Sequence, residues 1–174
     1  RWLDAGSLHI NAAMLTLPMV EWVAGDRDRP GSSPPGCESD VRKDGPGYLK
    51  KRFKRNLLRS KGAPRLPPDP DDDAVYQDAF VAWARKEFGD LHVVFSLDNE
   101  PDLWSHTHAE VHPEKVGYDE LIQRSIAAAE MIKDVWPAAK VSGPSSYGWH
   151  GYMTLSDAPD RGTKGDFLEY YLKR

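Results

Sequence analysis

The segment Ser96-Leu97-Asp98-Asn99-Glu100-Pro101-Asp102-Leu103-Trp104 gathers residue types that move protons, and it follows directly on the apolar stretch Leu91-His92-Val93-Val94-Phe95. A glutamate backed by a strand and stiffened by a following proline is held rather than floppy. Burial or like charge around such a carboxyl raises its pKa, which suits a general acid working near neutral pH. A period of two puts Val93, Phe95 and Leu97 on one face, and Ser96, Asp98 and Glu100 on the other. Asn-Glu-Pro is too short to be specific, and its bland reading is a polar loop with Glu100 solvated. Its place at the carboxyl end of a strand, where parallel α/β folds carry their reactive groups, favours catalysis.

Aromatic residues follow each apolar segment. Trp104 comes four residues after Glu100, Tyr147 and Trp149 follow Lys140-Val141-Ser142-Gly143-Pro144, and Trp22 follows the first apolar run. An aromatic face with a wet edge suits a flat sugar ring; the alternative is that some of these rings wedge loops against the core. His106, His108 and His112 match neither His-Glu-x-x-His nor a Cys/His finger. They are expected as surface residues or as hydrogen-bond donors to Asp102 or Glu100, with no metal. Asp69, Asp71 and Asp73 alternate like the start of a calcium loop, but Ala74 and Phe80 stand where that loop needs Gly and Glu. These acids are expected to cap the next helix instead.

The elements that must position these groups alternate. Residues 12–20 read as a strand buried on both faces, ending at Pro18. Residues 26–73 are rich in Gly, Pro, Ser and charge and read as a long irregular loop, functional or disordered. A helix is expected from about Ala74 to Phe88, with Tyr76, Phe80, Trp83, Ala84 and Phe88 as its apolar stripe and Gly89 as its stop. A strand covers Leu91 to Asp98. A helix covers Tyr118 to Val135, with Ile122, Ser125, Ile126, Ala129, Ile132 and Trp136 on one face and Pro137 ending it. A short strand at Lys140–Pro144 and a helix from about Asp166 follow. Strand–helix alternation argues for a parallel sheet with covering helices. Two architectures compete, an open doubly wound sheet and a (β/α)8 barrel; no Gly-rich turn with dinucleotide spacing follows any strand, which disfavours a nucleotide-binding open sheet. A complete barrel needs about 200 to 250 residues or more, so if the fold is a barrel, these 174 residues hold roughly three of its eight units. The opening Arg-Trp-Leu-Asp and a final helix cut off in its second turn suggest a fragment of a longer protein, the alternative being a small domain with trimmed ends.

Composition excludes several classes. With 23 Lys+Arg against 27 Asp+Glu the net charge is −4, against a basic nucleic-acid binder. The run Lys50 to Lys61 holds seven basic residues and no acidic one, and is expected as a solvated helical turn on the surface. At 40% hydrophobic and 10% aromatic residues the chain is not an acidic disordered one. No apolar run reaches the ~18 residues of a membrane span. The one cysteine, Cys37, rules out an internal disulfide framework.

The stretch from Asp98-Asn99-Glu100-Pro101-Asp102-Leu103-Trp104-Ser105-His106-Thr107-His108 to Val111-His112-Pro113 resembles the signature of glycoside hydrolase family 44. The blocks Leu15-Thr16-Leu17-Pro18-Met19 with Trp22-Val23-Ala24-Gly25-Asp26, Gly143-Pro144 through Trp149, Gly151 and Tyr152, and Phe167-Leu168-Glu169-Tyr170-Tyr171-Leu172 are similar to that family too. About residues 27–72 have no counterpart in this comparison. The resemblance implies a secreted, retaining endo-β-1,4-glucanase or xyloglucanase acting on a β-linked polysaccharide. It implies a (β/α)8 TIM barrel, here about strands three to five with their helices, joined to a β-sandwich domain, with no cofactor. Glu100 would be the general acid/base, Asn99 would bind the sugar hydroxyl beside the scissile bond, and the nucleophile would be a second Glu after strand seven, outside this chain. Neither Glu21 nor Glu169 matches the nucleophile motif. Trp104, Tyr147, Trp149 and Trp22 are the candidate sugar-binding aromatics. The rival class is a β-glucan-binding module that holds the polymer without cutting it.

Overall fold

A computed structural model describes residues 11–25 and 41–174. Cys37 and the first part of the long loop, with Pro30, Pro34 and Pro35, lie outside the described residues. Along the chain run β1 (Ala12–Leu17), β2 (Trp22–Ala24), a 3-10 turn (Val41–Asp44), α1 (Tyr48–Arg52), β3 (Phe53–Leu57), β4 (Ala74–Tyr76) and α2 (Gln77–Phe88). Then come β5 (His92–Leu97), a 3-10 turn (Pro101–Leu103), α3 (Trp104–Thr107), α4 (Tyr118–Val135), β6 (Lys140–Ser142), α5 (Gly148–Thr154) and α6 (Phe167–Leu172).

The strands read from the sequence as the alternating series form one parallel sheet in the order β1-β5-β6. Leu15 stands opposite Phe95 and Phe95 opposite Val141; Thr16 stands opposite Ser96 and Ser96 opposite Ser142. β1 ends at Leu17, before the expected limit, because Pro18 has no N–H to give a ladder. On one sheet face Leu17, Val93, Phe95 and Leu97 join a core with Val81 and Ala84 of α2 and Leu121, Ala128, Met131 and Ile132 of α4. Phe95 meets Trp136 edge-on at 6.2 Å.

Both helices bury much of the expected stripes, Ala84 in α2 and Ile122, Ser125 and Ile132 in α4, with Trp136 just beyond it, but each face is shifted at its edge. α2 begins at Gln77, since Ala74–Tyr76 is extended and paired with β3. Its buried line is therefore Gln77, Val81 and Ala84, while Trp83 is 41% exposed and stacks on Phe80. In α4, Leu121, Ala128 and Met131 turn inward and Ile126 is left exposed. The N-terminus of α4 is capped from a distance. Asp160 accepts hydrogen bonds from the backbone N–H of Tyr118 and Asp119, satisfying donors that the first helical turn cannot. A Cβ on Gly117 would lie 2.9 Å from the Asp160 carboxyl carbon, so only glycine lets the cap approach.

The expected irregular loop contains a second sheet, in the order β2-β3-β4, with β2 antiparallel and β4 parallel to β3. Asn56 of β3 fastens it to the end of β1 by donating to the carbonyls of Pro18 and Val20. The basic run is thus one helical turn followed by a strand. Three of its seven basic residues, Arg52, Arg55 and Arg59, pair with Asp44, Glu21 and Asp134. Asp69 does not cap α2, because β4 intervenes; it accepts from the Asp71 N–H and pairs with Arg65. No helix among the described residues is long and apolar enough to cross a membrane.

Candidate active site

The carboxyl ends of the three parallel strands meet around Asp98 and Glu100. The strand alternation stops at Leu97, since Asp98 and Glu100 both adopt left-handed backbone, with φ of 61° and 52°. This corrects the expectation that Ser96, Asp98 and Glu100 share one side by simple alternation. Such a conformation costs roughly 1–3 kcal/mol per non-glycine residue and persists only where the surroundings over-determine it. Here they do. The buried Asp98 carboxylate accepts from the N–H of Met19 after β1 and of Asn99, while its own N–H donates to the Leu17 carbonyl at 2.9 Å. The Glu100 N–H donates to the Ser145 carbonyl after β6 at 2.8 Å. The hydroxyls of Ser96 and Ser145 bond to each other at 2.7 Å. Glu100 is half-buried, Asn99 is exposed, and Pro101 opens the 3-10 turn that carries the chain away. Glu100 is therefore fixed to the end of β6 through its own backbone, and Asp98, two residues before it, is tied to the end of β1, so that its position does not depend on its side chain.

Asp102, on that same turn, is buried and faces the loop after β6. One oxygen accepts from the Tyr147 N–H at 2.9 Å and the other from the Ser156 hydroxyl at 2.6 Å. Gly151 of α5 lies against it: a Cβ there would sit 2.7 Å from that second carboxylate oxygen. Tyr147 and Trp149 stand exposed at the start of α5, on the loop whose Ser145 carbonyl holds Glu100.

The family model of glycoside hydrolase family 44 matches residues 1–174. The chain belongs to this family. It is 33% identical to endoglucanase A of Paenibacillus lautus over 169 residues, covering 92% of this chain and 23% of that protein. Its fold superposes on the family 44 endoglucanase Cel44A of Clostridium thermocellum with a TM-score of 0.82 at 33% identity, over 97% of this chain and 33% of that one. A family 44 xyloglucanase of Paenibacillus polymyxa, solved with xyloglucan, gives a TM-score of 0.76 at 34% identity, over 91% and 31%. The chain thus spans between about a quarter and a third of the length of these relatives.

Within this family 44 chain the candidate residues separate. Glu100, Asn99 and the Tyr147–Trp149 loop come together at the strand ends. Trp104 does not join them as a sugar platform: it is 0% exposed, packed on His112 at 5.1 Å and beneath the Arg124 guanidinium. The tight turn after Glu100 swings it inward, so the expectation that its indole faces a groove is corrected. Trp22 sits in the second sheet, one face of its ring covered by Arg55 at 4.9 Å. The histidines do not serve Asp102 or Glu100. His112 pairs with Glu120 at 3.0 Å, His106 lies against Ser105, and His108 against Thr107. No group of three or more His, Cys, Asp or Glu side chains able to hold a metal ion occurs among the described residues. Of the two other glutamates weighed as a second carboxylate, Glu21 is bound between Arg55 and Arg124, and Glu169 pairs with Lys173 on the surface of α6.

The His112–Glu120–Arg124–Glu21 chain of contacts ties the segment before α4 to the end of β1, and Arg124 also donates to the Met19 carbonyl. The hydrogen bond to Glu120 holds His112 above its ordinary pKa, against an opposing effect of burial. The same bond, assisted by Arg124, holds Glu120 below the usual carboxylate value. The roles of Asp102, Ser145 and Ser156 escaped the sequence reading. Asp102 lay inside the family motif, but its partner Ser156 is 54 residues away and nothing local marks it.

Proposed function

We propose that these residues form the part of a retaining endo-β-1,4-glucanase or xyloglucanase that carries its general acid/base, Glu100. The observation that carries this reading is the place of Glu100: at the carboxyl end of the central parallel strand, backbone-bound to the loop presenting Tyr147 and Trp149. The endoglucanase and xyloglucanase names of its family 44 relatives support the substrate class, a β-linked glucan outside the cell. On this reading β1, β5 and β6 are contiguous strands of a (β/α)8 barrel, about its third to fifth, with a β-sandwich domain attached. The half of the sheet that faces away from α2 and α4 supports it, since Met14 is 67% exposed there and parallel sheets are covered on both faces.

The chemistry requires two carboxyls about 5 to 5.5 Å apart. Glu100 protonates the glycosidic oxygen as that bond breaks, while a second glutamate, supplied from outside these 174 residues, attacks the anomeric carbon. Glu100, now a carboxylate, takes a proton from water, which displaces the enzyme carboxylate with net retention. Asn99 binds the hydroxyl beside the scissile bond, and Tyr147 and Trp149 offer ring faces to flanking sugars.

The test is Glu100→Gln in a chain extended to include the remaining barrel units. Hydrolysis of unactivated β-1,4-glucan should fall by about 10²–10⁴-fold, the usual share of a general acid, while glucan binding survives. Aryl glycosides with good leaving groups should lose less in the first step, and azide should restore part of their turnover. Near-full activity of the variant on glucan would overturn the assignment. Glucan binding without any hydrolysis by the unsubstituted extended chain would make it a binding module instead.

A further inference from the structure

We propose that Asp102 is a positioning residue: its carboxylate brackets α5 and thereby fixes Tyr147 and Trp149 beside Glu100. The proposal rests on the reading of Glu100 as acid/base and of the two aromatics as sugar-binding.

Three observations converge on it. Asp102 is 3% exposed, and each of its oxygens holds a different end of the same element: the Tyr147 N–H just before α5, and the Ser156 hydroxyl just after it. The middle of α5 is fitted to the same group, because any side chain at Gly151 would collide with the carboxylate and with Ser146. The chain also holds an unfavourable shape to deliver Ser156. Leu155, Ser156 and Asp157 are three consecutive non-glycine residues with left-handed backbone, φ 49°, 51° and 61°. Strain of that kind persists only where surroundings impose it. Its fastenings are the Ser156–Asp102 bond, a Lys115 ammonium on the Ser156 carbonyl, and the Asp157 N–H donating to the Thr154 hydroxyl.

The consequence follows from exposure. Trp149 is 77% exposed, so its indole is placed by its backbone and not by packing. That backbone is anchored at both ends to one carboxylate two residues from Glu100. Asp102 therefore links the proton donor to the aromatic surface as a single rigid unit, and preorganised surfaces bind more tightly than loose ones.

The amide of Asp102→Asn retains an acceptor for the Tyr147 N–H and offers an N–H to Ser156, whose hydroxyl can accept it. Asp102→Ala keeps neither bond. The experiment measures cello- and xyloglucan-oligosaccharide affinity by calorimetry in the extended chain, all variants carrying Glu100→Gln so that binding is read without turnover. Trp149→Ala and Asp102→Ala should each weaken binding roughly 10-fold, the order of one aromatic contact. Asp102→Asn should stay within about threefold of the reference, and Asp102→Ala added to a Tyr147→Ala, Trp149→Ala background should cause no further loss, because the contacts it positions are already gone. If Asp102→Ala does not fold, Ser156→Ala replaces it in the cycle. A further loss from Asp102→Ala in that background, unchanged affinity in Asp102→Ala alone, or an Asp102→Asn as weak as the alanine variant would each overturn the proposal. Hydrolysis of glucan that survives Glu100→Gln would instead overturn the acid/base reading, and the binding cycle would still decide on Asp102.

Discussion

Trp104 and Trp149 are the same residue type, each a few positions beyond a strand end, yet the structure gives them opposite surroundings. Trp104 is wholly enclosed by His112, Arg124 and the core, whereas Trp149 projects from α5 into solvent. Removing the first should be a matter of stability and removing the second a matter of binding. Trp104→Ala in the extended chain is expected to cost about 3–5 kcal/mol, as for other buried aromatics. Trp149→Ala is expected to change stability by no more than about 0.5 kcal/mol, since it leaves no cavity, while retarding less on glucan-containing affinity gels. Denaturant unfolding and the gels together check this. A stable Trp104→Ala, or a Trp149→Ala with undiminished retention, would contradict the division of labour between them.

The His112–Glu120 pair joins an irregular segment to the first turn of α4, and its titration should be visible in the stability of that junction. His112 has its folded pKa raised, by the bond to Glu120 above all. Its contribution is therefore complete below the unfolded histidine value of about 6.5 and is lost as pH rises through the higher folded value. Glu120 has its pKa lowered, by the same bond first, so its contribution is present above the ordinary carboxylate value and is lost as pH falls through the folded one. The pair stabilises most in the weakly acidic range between these limits. Thermal unfolding of the extended chain from pH 5 to 8.5 should show a decline on the alkaline side that Glu120→Gln flattens; parallel curves would remove His112 from the account. Long elements of this kind were readable beforehand. α4 has the boundaries expected from its periodicity, its terminal Pro137 and its acidic first turn, and β5 is its expected strand shortened by one residue at each end. The faces were less readable, because Ile126 and Trp83 are as apolar as the residues that bury. Only the start of α2 at Gln77 and the packing of α4 on β5 choose among the candidates. β3 and β4 were hidden because each is short and β4 is preceded by Asp71, Asp72 and Asp73, a composition that reads as loop. At the site, the placement of Glu100 at a strand end was legible. The left-handed turns that send Trp104 inward and bring Ser156 to Asp102 were not, since they depend on hydrogen bonds between distant segments.

On the proposed barrel reading, the parallel sheet is one part of a larger closed assembly. One face packs on α2 and α4. The other carries Ala12, Met14 and Thr16 of β1 and Lys140 and Ser142 of β6, all exposed, with half-buried Val94 and buried Ser96 between them. Among the described residues β1 and β6 are the outer strands of this sheet, and each has an edge that no described strand pairs. Beside β6, Leu97, Ile122, Ile126, Val141 and Tyr171 line an apolar groove of about 210 Å³. Open strand edges beside uncovered apolar surface are templates for association with another copy. The 174 residues produced alone are therefore expected to self-associate or to unfold without a sharp transition and, on the proposed mechanism with its second glutamate elsewhere, to hydrolyse no glucan. On the same reading, extension through the further barrel units should give a monodisperse, cooperatively unfolding and active protein. Light scattering coupled to size exclusion, denaturant titration and reducing-sugar release on both chains distinguish these states. A monomeric, cooperatively unfolding 174-residue chain would show that the sheet edges are adequately protected as they stand, and glucan hydrolysis by that chain would show that the reaction needs no carboxylate beyond those it contains.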